Sequence, residues 1–436
     1  MAMKANPVLS RRTVLRSSAL FGVAACLPSQ FAFAAGQQGA AESWPTVSAL
    51  LDRYVGERKL PGAIATLGWG DRPLSAIARG NEAFDDADAV SAQSLFRVYS
   101  MTKPVTGMAA MMLIEDGKLG LDAPLADYAP EFAQMQVALD PQAGLESRPA
   151  VNAITIRHLL THTAGLGYGG LGPDKPSMEM LRLGLAPGAV SRMEVPGLGR
   201  GVPVPGPDEF LRRAAGVPLL YEPGSRWSYS IGIDILGIVI QRVSGAKSLA
   251  AFLDERLFGP AGMRDTFFRV PDGRESRLAT NYGVVAGIPV PIDKPADTVF
   301  RDEPPFAFGG AGLVTTPADY DRFLQMLVGR GTIGGKRVMA ERAVALGLSN
   351  LLPAGAQTAG TIVDGAGFGA GGRVGLGRED GTFGWFGAAG TAGFINARIG
   401  LRSALYVQFM PPGVYPIQKE FTQAVLTDVM AGAGRR

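Results

Sequence analysis

Apolar positions along the chain fall into three regimes. Residues 44–57 carry apolar side chains at helical spacing and end before Pro61-Gly62; two apolar runs, 63–69 and 74–78, follow, split by Gly70-Asp71-Arg72-Pro73. This pattern predicts a helix leading into a β-hairpin. From 103 to 265 helical periodicity dominates. Val105, Met108, Ala109, Met112 and Leu113 make one stripe running to Asp116-Gly117, and Ile235, Ile238, Val239 and Val243 make another that stops at Ser244-Gly245. Gly165 to Val217 is rich in glycine and proline and reads as a long surface loop beside a binding cleft. The last third returns to short strands at 361–363, 382–386, 392–398 and 403–409, followed by a helix over 416–430.

Strands near both ends with helices between them predict an α/β lobe built from residues 35–118 and 270–436. A mostly helical lobe, residues 119–269 with the loop at 165–217, is then inserted between them. The roughly 400 residues that follow the leader exceed one ordinary hydrophobic core, and the cleft between the lobes is the expected place for a site.

Residues 1–34 read as a targeting leader. Ser10-Arg11-Arg12-Thr13-Val14-Leu15 is a twin-arginine pattern, an apolar segment runs from Ala19 to Ala25, and Ala32-Phe33-Ala34 supplies small residues for cleavage. The apolar segment is too short to span a bilayer, so the expectation is a periplasmic or secreted protein without a transmembrane segment. The leader holds Lys4, Arg11, Arg12 and Arg16 and no acid, which leaves 38 basic against 39 acidic residues and a net charge of −1. No basic cluster remains to argue for nucleic acid. The single cysteine, Cys26, also falls in the leader, so the remainder has no disulfide, thiol nucleophile or cysteine ligand. Val23-Ala24-Ala25-Cys26 resembles a lipoprotein processing box, the alternative in which Cys26 carries a lipid anchor.

The candidate chemistry begins at Ser100-Met101-Thr102-Lys103. Residues three apart on a helix share a face, so the Lys103 amine can reach the Ser100 hydroxyl and serve as the base that activates it. With 21 serines and 9 lysines in 436 residues, chance supplies about 0.4 such pairs, and a second copy exists at Ser244-Gly245-Ala246-Lys247. Position separates them. Ser244 closes an apolar stripe before a glycine, as a helix C-terminus does, whereas Ser100 opens one. At a helix start, unpaired N–H groups favour an oxyanion.

Two further segments join this one. Tyr229, after a Pro223-Gly224 turn, enters the helix expected at 231–244 and can relay a proton beside Ser100. Gly384-Trp385-Phe386-Gly387-Ala388-Ala389-Gly390 lies on a strand relieved by glycine, where a ligand can approach the backbone and the Ala388 amide can be a second oxyanion donor beside that of Ser100. In this order the three segments resemble the serine β-lactamase and penicillin-binding superfamily, most closely the class C β-lactamase-like branch and its family VIII carboxylesterases. Ile154 to Leu166, containing Leu160-Thr161-His162-Thr163, and Gly309-Gly310-Ala311-Gly312-Leu313-Val314-Thr315-Thr316 also look typical of it. The resemblance covers roughly residues 45–430. It implies an antiparallel sheet flanked by helices with an inserted helical lobe. It also implies Ser100 as acylated nucleophile, Lys103 as its base, Tyr229 as proton partner to the leaving group, and no metal or other cofactor.

Two departures bear on substrate. Where class C enzymes carry Lys-Thr-Gly this chain has Trp385-Phe386-Gly387, and where they carry an asparagine two residues after the tyrosine it has Ile231. The lost lysine and threonine belong to carboxylate recognition, so Ile231, Trp385, Phe386 and Gly387 are expected to line a site for a neutral, apolar ester. Losing that lysine also removes a positive charge near Tyr229 and leaves more of the base work to Lys103. A small-molecule ester is the expected substrate. The competing readings are a β-lactamase or D-alanyl-D-alanine peptidase, an acyltransferase sharing the acyl-enzyme, and a catalytically silent cell-wall or ligand-binding protein. His158 and His162, four apart and without a third ligand, read as packing or supporting histidines. No Gly-x-Ser-x-Gly elbow occurs, and the dinucleotide-like Gly365-Ala366-Gly367-Phe368-Gly369-Ala370 is followed by more glycine and so cannot readily open a helix.

Overall fold

The computed structural model describes residues 39–186, 188, 190–193 and 203–433. The leader signals, the Ala32-Phe33-Ala34 site and Cys26 lie outside the described residues.

Helix α1 (Pro45–Gly56) starts with proline in its first turn, but Trp44 offers no side-chain cap. The Asp428 carboxylate, from the C-terminal helix, supplies one instead, accepting from the Thr46 and Val47 amides at 3.1 and 3.0 Å. Strands β1 (Gly62–Trp69) and β2 (Ser75–Gly80) form the expected hairpin. They share one sheet with β3 (Gly367–Phe368), β4 (Arg373–Val374), β5 (Thr382–Phe386), β6 (Ala392–Asn396) and β7 (Leu401–Tyr406). The order is β3-β4-β5-β6-β7-β1-β2 and every pairing is antiparallel, with Ile64 opposite Tyr406 and Trp385 opposite Gly393.

Both faces of this sheet are covered, which is why β1 is buried at seven of its eight positions rather than alternating. On one face α1 packs with the C-terminal helix Ile417–Met430 through Trp44, Val47, Leu51, Tyr54, Phe421 and Val425. The other face takes the helix Thr102–Glu115, here α2, and the helix Pro317–Val328, whose Tyr320 hydroxyl donates to the Met101 carbonyl at 3.0 Å. Every residue from Thr102 to Leu113 is buried. Helix α2 is therefore not the one-sided helix of its apolar stripe but a central rod between the sheet and the helix Gly232–Ser244, here α3. Gly107 marks that crowding, since a Cβ there would lie 2.1 Å from the Ala370 carbonyl. The chain thus has the α/β architecture of an antiparallel sheet with flanking helices.

Four sequence expectations need correction. The expected 403–409 strand ends at Tyr406, and Phe409–Met410 pairs in a separate sheet. Residues 361–363 form turns, with the Thr361 hydroxyl donating to the Thr358 carbonyl and Ile362 facing solvent. The expected 392–398 strand stops at Asn396, whose Oδ1 accepts from the Arg398 amide and starts a turn. The 165–217 stretch carries two helices in its described part, Lys175–Arg182 and Pro207–Ala215. Each begins with a helix-start signal that the surrounding glycine and proline obscure: Asp174 accepts from the Ser177 amide at 2.7 Å, and Pro207 opens a turn holding Asp208 and Glu209. Among the described residues, no single helix is long and apolar enough to cross a membrane.

Candidate active site

Ser100 sits in a single turn of 3₁₀ helix, Tyr99–Met101, that runs directly into α2. The preceding residue, Tyr99, has φ = +41°, a conformation that non-glycine residues rarely hold without support. Support comes from both sides. The Tyr99 ring packs edge-on against Phe300 and its hydroxyl accepts from Asn281 Nδ2 at 3.3 Å. Arg97, wholly buried, forms an ion pair with Asp293 and donates to the Ala279 carbonyl at 2.6 Å, while Gln408 Nε2 donates to the Arg97 carbonyl at 3.0 Å. A buried charge with this many partners fixes the strand that delivers Ser100.

The Ser100 side chain accepts from two directions. Tyr229 donates its hydroxyl at 2.7 Å, and Lys103 Nζ lies 3.2 Å away. Ser100 is 8% exposed and Lys103 not at all. Lys103 also donates to the Gly310 carbonyl at 2.7 Å and lies 4.6 Å from the centre of the Tyr229 ring. The three side chains come from the turn before α2, from α2 itself and from the loop before α3, so the packing of α2 on α3 sets their spacing.

Aromatic rings hold Tyr229 in place. Tyr168 stacks with it at 5.2 Å and Trp385 at 5.9 Å, with the Trp385 indole N–H 3.4 Å from the Tyr229 hydroxyl. His162 packs beneath at 4.7 Å. Its carbonyl accepts from the Ser228 amide and its Nδ1 accepts from the Ser230 amide, so it fixes the backbone on both sides of Tyr229. That acceptor role places the ring proton on Nε2, and burial, reinforced by Lys103, holds the imidazole pKa well below its ordinary value. Neither histidine hydrogen-bonds Ser100; His158 instead caps its own helix through Thr155.

Ser100 and Tyr229 open onto a cavity of about 690 Å³. Trp385, Phe386, Gly387 and Ala388 form one wall of it. Leu171 and Met193 from the 165–217 stretch, together with Ile362, are largely exposed at its margin. Among the described residues the lining holds no lysine or arginine, and its one charged side chain is Glu303. Ile231 is placed elsewhere. It is fully buried, caps α3 and donates its amide to the Gly167 carbonyl, so its side chain packs in the core and does not line the cavity. Gly387 is needed where it stands, since a Cβ there would lie 2.0 Å from Thr391 Oγ1 and 2.5 Å from the Val98 carbonyl.

Three contributors were not singled out from sequence. Tyr168 had no signal beyond a tyrosine in a glycine-rich stretch. The Gly310 carbonyl belongs to a stretch noted only for its overall resemblance. Asp234, on α3, is wholly buried; its Oδ1 accepts from the Gly310 amide at 2.8 Å and its Oδ2 has no hydrogen-bond partner. An acid in the first turn of an otherwise apolar helix is the available clue to it.

The chain as a whole is similar to known proteins. The family described as Beta-lactamase matches residues 47–426. Esterase EstB of Burkholderia gladioli is 32% identical over 379 residues, covering 81% of this chain and 88% of EstB. Protein Rv1367c of Mycobacterium tuberculosis is 37% identical over 299 residues, covering 66% of this chain and 67% of that protein. Among solved structures, EstCE1, described as a hydrolase with promiscuous acyltransferase activity, superposes with a TM-score of 0.70 at 27% identity, covering 89% of this chain and 99% of its own.

Proposed function

Because the chain belongs to the β-lactamase family, we propose that it is an exported serine hydrolase cleaving small, neutral, apolar carboxylic esters through a Ser100 acyl-enzyme. The observation that carries this reading is the meeting of Lys103 and Tyr229 on Ser100 Oγ at the floor of a cavity whose described lining holds no cation. The esterase names among its relatives support the same chemistry.

In this reading Lys103 takes the Ser100 proton across the 3.2 Å contact while Oγ adds to the ester carbonyl. The Ser100 and Ala388 amides stabilise the oxyanion, worth about 3 kcal/mol per donor in comparable sites. Tyr229 passes a proton to the departing alkoxide, which leaves as the alcohol. Water then adds to the acyl-enzyme with the Tyr229–Lys103 pair accepting its proton, and the acid is released with Ser100 restored. A substrate carboxylate would meet no positive partner among the described lining residues and would face Glu303, which disfavours β-lactams and D-alanyl peptides.

The test is a p-nitrophenyl acyl-ester series beside a chromogenic cephalosporin on one preparation. Ester turnover with weak cephalosporin hydrolysis supports the reading, and fast cephalosporin turnover with silent esters removes it. Acyl transfer to an alcohol is a second reading, favoured by the apolar cavity and by the activity named for EstCE1. Product analysis with added alcohol separates it from hydrolysis. Export rests on the Arg11-Arg12 leader pattern alone.

A further inference from the structure

Asp234 is an expensive residue. A carboxylate with no exposure and one oxygen left without a partner costs free energy wherever it is ionised, and its place in the first turn of α3 offsets that cost only in part. Its surroundings are built around it all the same. A Cβ on residue 310 would lie 2.4 Å from Asp234 Oδ2, so a side chain there would displace the carboxylate. The N–H of Gly310 donates to Asp234 at 2.8 Å, and the C=O of the same residue accepts from Lys103 at 2.7 Å. One residue thus joins the buried acid to the buried amine.

We propose that Asp234 is a positioning and counter-charge residue for Lys103: it fixes Gly310 and, as carboxylate, offsets the ammonium that forms when Lys103 takes the Ser100 proton. Lys103 is wholly buried, so the charge it gains cannot be solvated by water, and a carboxylate one residue away lowers the cost of forming it. Asp234 does not touch substrate or the reacting atoms. The titratable groups acting on it are Lys103 from α2 and, more weakly, Tyr168 from the loop stacked on Tyr229. Burial raises the Asp234 pKa to about 6, with the Lys103 ammonium and the Gly310 amide pulling the other way, so beside that ammonium it is mainly ionised at neutral pH and loses its charge below that.

The inference rests on the nucleophile assignment above, so its test reads nucleophile activation and not ester turnover. The probe is a fluorophosphonate, with the second-order labelling rate of Ser100 followed from pH 5 to pH 8 and melting temperature recorded in parallel. Asp234→Asn keeps the shape and an acceptor for Gly310. The expected result is a labelling rate at least tenfold below wild type at pH 7, a melting temperature held or raised, and loss of the fall-off below about pH 6 expected of wild type. A wild-type rate and pH profile in Asp234→Asn would overturn the proposal. Should that variant not fold, the wild-type profile decides: labelling unchanged between pH 7 and pH 5 overturns it as well. Labelling of Ser100 without ester hydrolysis would instead contradict the esterase reading and leave Asp234 to its own result.

Discussion

Tyr229 stands closer to the Ser100 hydroxyl than Lys103 does, at 2.7 Å against 3.2 Å. The nucleophile is therefore held between two proton-handling groups, and their roles separate by what else each touches. Lys103 is tied down to the Gly310 carbonyl inside the protein, whereas Tyr229 faces the cavity beside two rings. The inward group suits a base for Ser100, and the group facing the cavity suits a partner for the leaving alkoxide.

Tyr229→Phe keeps the ring stack and removes only the hydroxyl. Its kcat on p-nitrophenyl esters should fall by about 10²- to 10⁴-fold, the range for losing one positioned acid–base group, with KM little changed. The loss should be larger on alkyl esters, whose alkoxide leaves poorly without a proton, and steady-state kinetics on both classes checks this.

The cavity margin should set chain-length preference. Leu171 is largely exposed beside the cavity, so Leu171→Ser should leave melting temperature unchanged. Its kcat/KM on octanoyl esters should drop roughly tenfold, at about 0.8 kcal/mol per buried methylene lost, while acetyl esters are unaffected. An acyl-length profile of the two proteins measures it.

Charge at the mouth should govern tolerance of anions. The Glu303 side chain is 85% exposed and its carboxylate lies 3.9 Å from Arg269 Nε, so Glu303→Lys gives up one surface ion pair of small worth and places a cation where the described lining has none. KM for an ester bearing a distal carboxylate should fall severalfold at low salt, and the gain should shrink above about 0.15 M salt as screening sets in. Neutral esters should not respond.

Stability should depend on pH through His158. Burial lowers its pKa to about 4 in the folded chain, against about 6.5 when unfolded. A histidine with a lowered folded pKa favours the unfolded state once the unfolded side chain can protonate, so stability is full above about pH 6.5 and is lost as pH falls toward 4. Between pH 7 and pH 5 the loss is about 2 kcal/mol. Denaturant unfolding of His158→Gln at the two pH values should show a difference smaller than that of wild type by this amount.

Local rules made much of the fold legible. Gly245 and Gly117 adopt left-handed conformations just past helix ends, and Pro61-Gly62 and the 70–73 turn frame the first hairpin, because each of these signals acts within a few residues. The sheet order was not legible, since nothing near residues 62–69 states that their partner is 401–406. The site divides the same way. Ser100 and Lys103 are three apart on one helical segment, so spacing alone brings them together; Tyr229 stood out only as a tyrosine at a helix entrance, and its meeting with Ser100 depends on α2 packing on α3. Ile231 shows the limit of that resemblance. Its position matches a polar site residue in class C enzymes, yet an isoleucine at that point turns into the core because burial of its side chain is favourable. Asp234 ran against pattern, since a charge in an apolar helix looks like an error until its partner is seen across the fold.

The central claim is that Ser100 becomes acylated and then deacylated during ester turnover. Rapid-quench mass spectrometry with a slowly deacylated p-nitrophenyl ester tests it most directly. The account predicts a transient acyl adduct on the peptide carrying Ser100, formed at the rate of the p-nitrophenol burst, and neither adduct nor turnover above background in Ser100→Ala. Turnover by Ser100→Ala at the wild-type rate, or an adduct on another residue, would contradict it.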